Sequence, residues 1–163
     1  GNCHLQHMTV RQAKESGVWG ASSFTMDDVV VEQCGGYGVV AYGTGAVGRC
    51  TNVEVRDCGR SGVLVYGGAS ITFVGAKTTV LDNCTLGTSD YFGLHVYGSL
   101  STIQLISPLT KERVAIGNGG GGNWGAANGT NGGNINQIKT IVNRSNKTFD
   151  HSSKSFFKIV HFH

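Results

Sequence analysis

Short runs in which apolar and polar residues alternate recur along the first two thirds of the chain. The first set comprises MTVRQA (8–13), VVVEQC (29–34), VEVRDC (53–58), TVLDNC (79–84) and IQLISP (103–108). Successive runs are offset by 21, 24, 26 and 24 residues, counted between Val10, Val31, Val55, Leu81 and Leu105. Alternation with a period of two predicts β-strands that bury one face.

A second set of runs follows the first, and each is bounded by glycine. It comprises GVWG (17–20), GVVAYG (38–43), GVLVYG (62–67), GLHVYG (93–98) and RVAIG (113–117). Third elements such as SSFTM (22–26) and GASITF (68–73) come next. The repeats leave no room for a helix of eight residues. They lack the leucine and asparagine spacing of leucine-rich repeats, and they are too short for propeller blades. The chain is therefore predicted to be all-β, a right-handed parallel β-helix of about five coils.

The coils are expected to occupy residues 1–125, and residues 126–163 to form a glycine-rich exit loop, a capping strand and a basic C-terminal tail. The exit loop is GNGGGGNWGAANGTNGGN (117–134), and INQIKTIV (135–142) is expected to cover the open end of the stack. The apolar and basic segment FFKIVHFH (156–163) is expected to dock on the core, pair as a strand or bind a partner.

The repeated V-x-V-x-x-C and G-V-x-V-Y-G patterns, together with the exit IGNGGGGNWG (116–125), resemble those of the pectate-lyase-like right-handed parallel β-helix proteins. The similarity covers about residues 2–125 and is greatest to the short β-helix repeat proteins of algae and large algal viruses. The resemblance implies the fold. It implies little about activity, because this fold carries many functions.

Charge is divided unevenly along the chain. Residues 1–138 carry eight basic and nine acidic side chains, whereas residues 139–163 carry five basic and one acidic. The coils therefore lack the basic patch that nucleic-acid binding requires, and the tail is expected to be solvated. No run approaches the ~20 apolar residues of a membrane span.

Stacking turns each repeat position into a column, and alternation sorts the columns into inward and outward ones. The inward positions are expected to be Met8, Val10, Val29, Val31, Val39, Ala41, Val53, Val55, Val63, Val65, Thr79, Leu81, Leu94, Val96, Ile103, Leu105, Val114 and Ile116. Cys34, Cys58 and Cys84 are expected to share one column with Ala13 as buried, reduced thiols, with Cys3 and Cys50 outside it. A metal or redox role for the cysteines would need clustered ligands and an exposed thiolate.

Two outward columns suggest surfaces with a function. The first runs Arg11, Glu32, Arg56, Asp82 and Ile106, and is expected to be an ion-pair ladder; the alternative is a catalytic groove, since β-helix lyases and epimerases carry arginines and carboxylates on such a face. The second runs Trp19, Val40, Leu64, His95 and Ala115, beside Tyr42, Tyr66 and Tyr97. It is either a simple stacking ladder or a contact surface for sugar rings or protein.

One connection is longer than its counterparts, and it brings ionisable residues beside the tyrosines. Seven residues separate Val55 from Gly62, whereas twelve separate Leu81 from Gly93. Catalytic motifs of β-helix lyases, polygalacturonases and epimerases are absent. If the chain is an enzyme, its weak catalytic candidates are Asp90, His95, Arg56 and Asp82. No cofactor or metal is expected, although Asp27-Asp28 and Asp82 with Asp90 leave calcium open.

Four N-x-S/T sequons, at Asn83, Asn128, Asn143 and Asn146, fit a secreted protein, so an extracellular surface or virion location is favoured. The expected function is a non-catalytic structural or binding module that contacts glycan or protein through Trp19, Tyr42, Leu64, Tyr66 and Tyr97, with self-association open. The alternative is a lyase or epimerase acting on an acidic, uronate-containing glycan.

Overall fold

The computed structural model describes residues 2–127 and 132–142, and the predicted tail segment 156–163 and the sequons at Asn128, Asn143 and Asn146 lie outside these ranges. The described chain is all-β with parallel sheets, which is consistent with the β-helix predicted from the repeats. The strands are β1 (Cys3–Arg11), β2 (Val18–Gly20), β3 (Phe24–Glu32), β4 (Val39–Tyr42), β5 (Val47–Thr51), β6 (Glu54–Arg56), β7 (Val63–Tyr66), β8 (Ser70–Val74), β9 (Thr79–Leu81), β10 (Leu94–Tyr97), β11 (Thr102–Ile106), β12 (Ala115–Ile116), β13 (Trp124–Ala127) and β14 (Ile138–Ile141).

Two parallel sheets hold these strands. One contains nine strands, in the order β12-β9-β6-β3-β5-β8-β11-β14 with β1 beside β3, and the other has the order β13-β10-β7-β4-β2. The long strand β3 pairs with β5 through its first half and with β6 through its second half. Asp28, between the halves, has φ +49°, so the strand turns a corner there, in a region that Asp tolerates better than most residues. A single helical turn, α1 (Lys111–Val114), precedes β12. No helix among the described residues has the length and apolar character to cross a membrane.

The two glycines that bound a second-set run are required for different structural reasons. A Cβ on Gly38 would lie 2.5 Å from the carbonyl oxygen of Gly62, so the first glycine permits close stacking of neighbouring strands. Gly67, at the end of its run, has φ +68°, a conformation that side chains rarely adopt. The first glycine of such a run is thus required by close packing, and the last by its backbone conformation.

Most of the predicted inward residues are buried, but the register slips by one residue at β9. Val55 pairs with Val80, which is fully buried, while Thr79 and Leu81 point away from the core. Met8 and Ile116 were also predicted to be buried and are 45% and 54% exposed. Both lie on strands at a sheet edge, where packing covers one side only.

The slip also changes the predicted cysteine column. Arg56 pairs with Leu81, so Asn83 rather than Cys84 follows Cys34 and Cys58 in that column, and Asn118 comes next. Asn83 is 1% exposed; its Oδ1 accepts from the Cys58 amide at 3.1 Å, and its Nδ2 donates to the carbonyl of Val55 at 3.0 Å. These bonds leave no space for a glycan at the Asn83 sequon in the folded protein.

The fifth repeat was also assigned to the wrong strands. The segment IQLISP forms β11, which pairs with β8 and β14 rather than with β9. The segment RVAIG supplies the end of α1 and β12, and Ala115 is buried in the core instead of pointing outward. The second-set position belongs to β13, in which Gly125 pairs with His95.

Candidate functional site

The five-stranded sheet carries the predicted aromatic face. The strand register places one row of residues across this sheet: Trp19, Val40, Leu64, His95 and Gly125. A parallel row lies two residues further along the strands and comprises Tyr42, Tyr66, Tyr97 and Ala127. The long connection between β9 and β10 rises beside this face. Together they enclose a groove of about 730 Å³, which lies within the usual range of small-molecule sites.

Six aromatic side chains line the groove: Trp19, Tyr37, Tyr66, Tyr91, Phe92 and Tyr97. Trp19 meets Tyr66 edge-on, with ring centroids 6.2 Å apart. Tyr42 stacks on Tyr66 with ring centroids 4.5 Å apart and does not line the groove. The predicted binding residues Trp19, Leu64, Tyr66 and Tyr97 therefore lie together, and Tyr42 supports one of them.

A smaller groove of about 350 Å³ continues past the ends of β7 and β10. Its walls are Tyr66 and Tyr97, shared with the larger groove, and the turns containing Gly67, Gly98 and Leu100. Leu100 is 78% exposed. The two tyrosines therefore line both grooves.

Arg60 does not line the larger groove, but it contacts two of the aromatic side chains that form its wall. The guanidinium of Arg60 lies 5.4 Å from the ring centroid of Tyr37 and 5.7 Å from that of Tyr91, and the two rings meet edge-on at 5.8 Å. Such contacts contribute about 0.5–1 kcal/mol each at partly exposed sites. Burial raises the pKa of Tyr37, so its hydroxyl stays protonated at neutral pH. Arg60 thus fixes the position of Tyr91 without lining the groove.

Phe92 fills the corner between the long connection and β13. A Cβ on Gly125 would overlap the Phe92 ring, so only glycine at this position lets the ring lie on the strand. Phe92 also meets His95 edge-on, with ring centroids 5.2 Å apart. The long connection is therefore packed against the sheet through Phe92.

His95 lies in the groove and is 5% exposed. Its Nδ1 is 2.9 Å from Ser61 Oγ, and the same Ser61 oxygen accepts the amide of Phe92 at 3.2 Å. Within residues 2–127 and 132–142, Nε2 has no hydrogen-bond partner. Burial lowers the pKa of His95 to about 4, although the nearby Asp90 carboxylate acts in the opposite direction, so the ring is neutral at pH 7. Ser61 is fully buried, so it orients His95 and cannot meet a substrate.

The four weak catalytic candidates separate into two groups. Asp90 and His95 line the groove, whereas Arg56 and Asp82 do not. Arg56 forms ion pairs with Glu32 at 2.5 Å and with Glu54 at 2.7 Å, and Glu32 also pairs with Arg11. The Arg11–Glu32–Arg56 part of the ion-pair ladder is confirmed. Leu81 takes the position predicted for Asp82, and Ile106 lies on β11 instead.

The thiols and carboxylates offer no metal site in the part of the chain that the structure describes: no group of three or more His, Cys, Asp or Glu residues converges there. All five cysteines are unpaired, and all but Cys3 are buried. Burial raises the pKa of Cys50 and Cys58 to about 12 and that of Cys84 to about 11, so these are core thiols and not reactive ones.

Sequence reasoning missed three residues that shape the groove. Tyr37 precedes a corner glycine, Ser61 lies inside a turn, and Phe92 ends the long connection. All three occupy the same repeat position, directly before the first glycine of a second-set run. The residue type varies at this position and it lies outside the alternating runs, so the column analysis did not include it; the available signal was its place beside the tyrosine row. Comparison of the chain with protein-family models, with curated proteins and with solved structures gives no significant match.

Proposed function

We propose that the protein is a right-handed parallel β-helix of about five coils, of the pectate-lyase-like kind, that serves as a non-catalytic binding module for a glycan held in the aromatic groove. The observation that carries the proposal is the concave space of about 730 Å³ with six aromatic walls and the unpaired nitrogen of His95. Largely apolar sites with a few convergent polar groups are where small ligands bind.

A sugar ring matches these walls because it has two chemically different parts. Its C–H faces are apolar and pack on aromatic rings, while its hydroxyl groups at the rim form hydrogen bonds. In the groove, Trp19, Tyr66 and Tyr97 supply ring surfaces, and His95 and Asp90 supply polar groups. A protein partner is the second possibility, but stable protein interfaces bury ~800 Å² per partner over a broad surface, and this site is a narrow cleft.

Lyase or epimerase activity on a uronate remains the alternative. It requires a base and a cation that neutralises the sugar carboxylate. His95 and Asp90 line the groove with no lysine or arginine among the described lining residues, and Arg56 is engaged with Glu32 and Glu54. These contacts favour binding over turnover. Ultraviolet detection of unsaturated products from alginate and pectin would reveal lyase activity directly.

The test is binding to a glycan array, followed by calorimetric titration of the best ligand. Tyr97→Ala should weaken binding about tenfold, ~1.4 kcal/mol, because it removes one aromatic wall of both grooves. Leu86→Ala is the control. Leu86 is an exposed apolar residue of the long connection between β9 and β10, and it lies outside both grooves. Equal affinity of the two variants, or no glycan bound by the unaltered chain, would contradict the proposal.

A further inference from the structure

The unpaired nitrogen of His95 is costly unless a ligand occupies the groove. His95 is only 5% exposed, and its Nε2 atom has no hydrogen-bond partner within the described residues. Leaving a buried polar group without a hydrogen bond costs ~1–3 kcal/mol in most proteins. Because His95 also lines the groove, the missing partner is expected to come from the bound molecule.

The surrounding hydrogen bonds determine what His95 offers to that molecule. Ser61 Oγ accepts the Phe92 amide, and Nδ1 of His95 is the one acceptor for the Ser61 hydroxyl proton among the described contacts, so Ser61 is assigned as the donor to Nδ1. A neutral imidazole carries one ring proton, so when Nδ1 accepts, the proton lies on Nε2. His95 therefore presents an N–H donor, and it requires an acceptor oxygen on the ligand.

The charge of the groove further restricts which ligands can bind. Asp90 is the one carboxylate among the described lining residues, it is exposed, and it forms no ion pair in residues 2–127 and 132–142. Arg60, the cation beside the wall, lies behind the rings of Tyr37 and Tyr91. A ligand carboxylate would therefore meet a like charge with no lining cation to offset it, an arrangement that opposes binding.

Building on the proposed function, we propose that the groove selects neutral pyranose rings over uronates. A ring face packs on the aromatic walls, a ring or hydroxyl oxygen accepts the Nε2–H of His95, and a hydroxyl donates to the Asp90 carboxylate. Asp90 thus has two effects: it recognises a hydroxyl, and it repels the carboxylate that distinguishes a uronate from the neutral sugar of the same configuration.

The experiment compares neutral oligosaccharides with the uronate oligosaccharides of matching configuration and linkage by calorimetric titration at pH 7 and low salt. Galactan against galacturonan and mannan against mannuronan are suitable pairs. The neutral member should bind at least tenfold more tightly. Asp90→Asn should narrow that difference by raising the affinity for the uronate, because the exposed side chain keeps its size and loses its charge. In 0.5 M NaCl the difference should also shrink, since salt screens exposed charges.

His95→Phe tests the hydrogen bond. It retains an aromatic ring and removes Nε2–H, so affinity for the neutral ligand should fall at least tenfold, with thermal unfolding confirming that the variant is folded. Equal or tighter binding of the uronate, or a selectivity that Asp90→Asn leaves unchanged, overturns this inference while the glycan-binding function stands. Failure of both members of every pair to bind overturns the proposed function as well.

Discussion

Replacing Asn83 by alanine should destabilise the protein more than truncating Cys34 in the same column. Asn83 Oδ1 is the partner of the buried Cys58 amide at 3.1 Å, and Nδ2 donates to Val55 O and to Asn118 Oδ1, each at 3.0 Å. Alanine leaves the Cys58 N–H unsatisfied, at ~1–3 kcal/mol, and removes two further hydrogen bonds worth ~0.5–1.5 kcal/mol each. The expected loss in the free energy of unfolding is therefore about 2–6 kcal/mol.

The assay is urea unfolding followed by circular dichroism, with the free energy taken from the midpoint and slope. Cys34→Ala is the control, because Cys34 occupies the same column and the hydrogen bond that its thiol donates is a weak one, at 3.5 Å to the Glu32 carbonyl oxygen. Removing that sulfur should cost about 1 kcal/mol, the scale of a small core truncation. If Asn83→Ala costs no more than Cys34→Ala, the hydrogen bonds of Asn83 do not hold neighbouring strands together and the reasoning fails.

Three further outcomes follow from the described contacts. Gly125→Ala should displace Phe92 and weaken glycan binding severalfold, as titration would detect; unchanged affinity would mean that the ring does not shape the groove. Hydrogen bonding and charge from two arginines lower the pKa of Glu32, so its stabilisation is present above the ordinary pKa of about 4.5 and lost as the pH falls through the lowered value. Glu32→Gln should therefore reduce stability at pH 7 and flatten its acid dependence in thermal melts. Ellman's reagent should titrate about one thiol, Cys3, in the native protein and five after denaturation; rapid reaction of more thiols would contradict the burial of the other four.

The sequence was sufficient to predict the parallel strands because alternation and glycine spacing both follow from backbone geometry. It was insufficient just after β9, where Asn83 takes the position in the cysteine column. A hydrophobicity pattern cannot distinguish a polar residue that is buried and hydrogen-bonded from one that faces solvent, so Cys84 was the more natural choice for the column. With Cys84 in the column, Leu81 was predicted to lie in the core and Asp82 in the ion-pair ladder.

A second error has a different origin. The first-set strands and the third elements belong to the same nine-stranded sheet and carry the same alternation, so the pattern of IQLISP could not indicate which strands it pairs with. Pairing alone places Leu105 beside Phe73 and leaves Ala115 in the core. The groove was partly predictable: Trp19, Tyr66 and Tyr97 recur in register, and the extra length beside Asp90 was visible. The contacts of Ser61 and Arg60 with the long connection depend on how that connection folds back, which no periodicity records.

The extra length between β9 and β10 is absorbed entirely outside the strands, since β9 pairs residue for residue with β6 before it and β10 pairs residue for residue with β7 after it. Because loop closure costs only ~0.6 kcal/mol for each doubling of length, this corner can change in size and composition with little effect on the rest of the molecule. The strands therefore supply the stability of the molecule, whereas the connection between β9 and β10 supplies its ligand specificity. A library randomised at residues 85–91, displayed on the unaltered strands, would be a direct route to binders for other ligands.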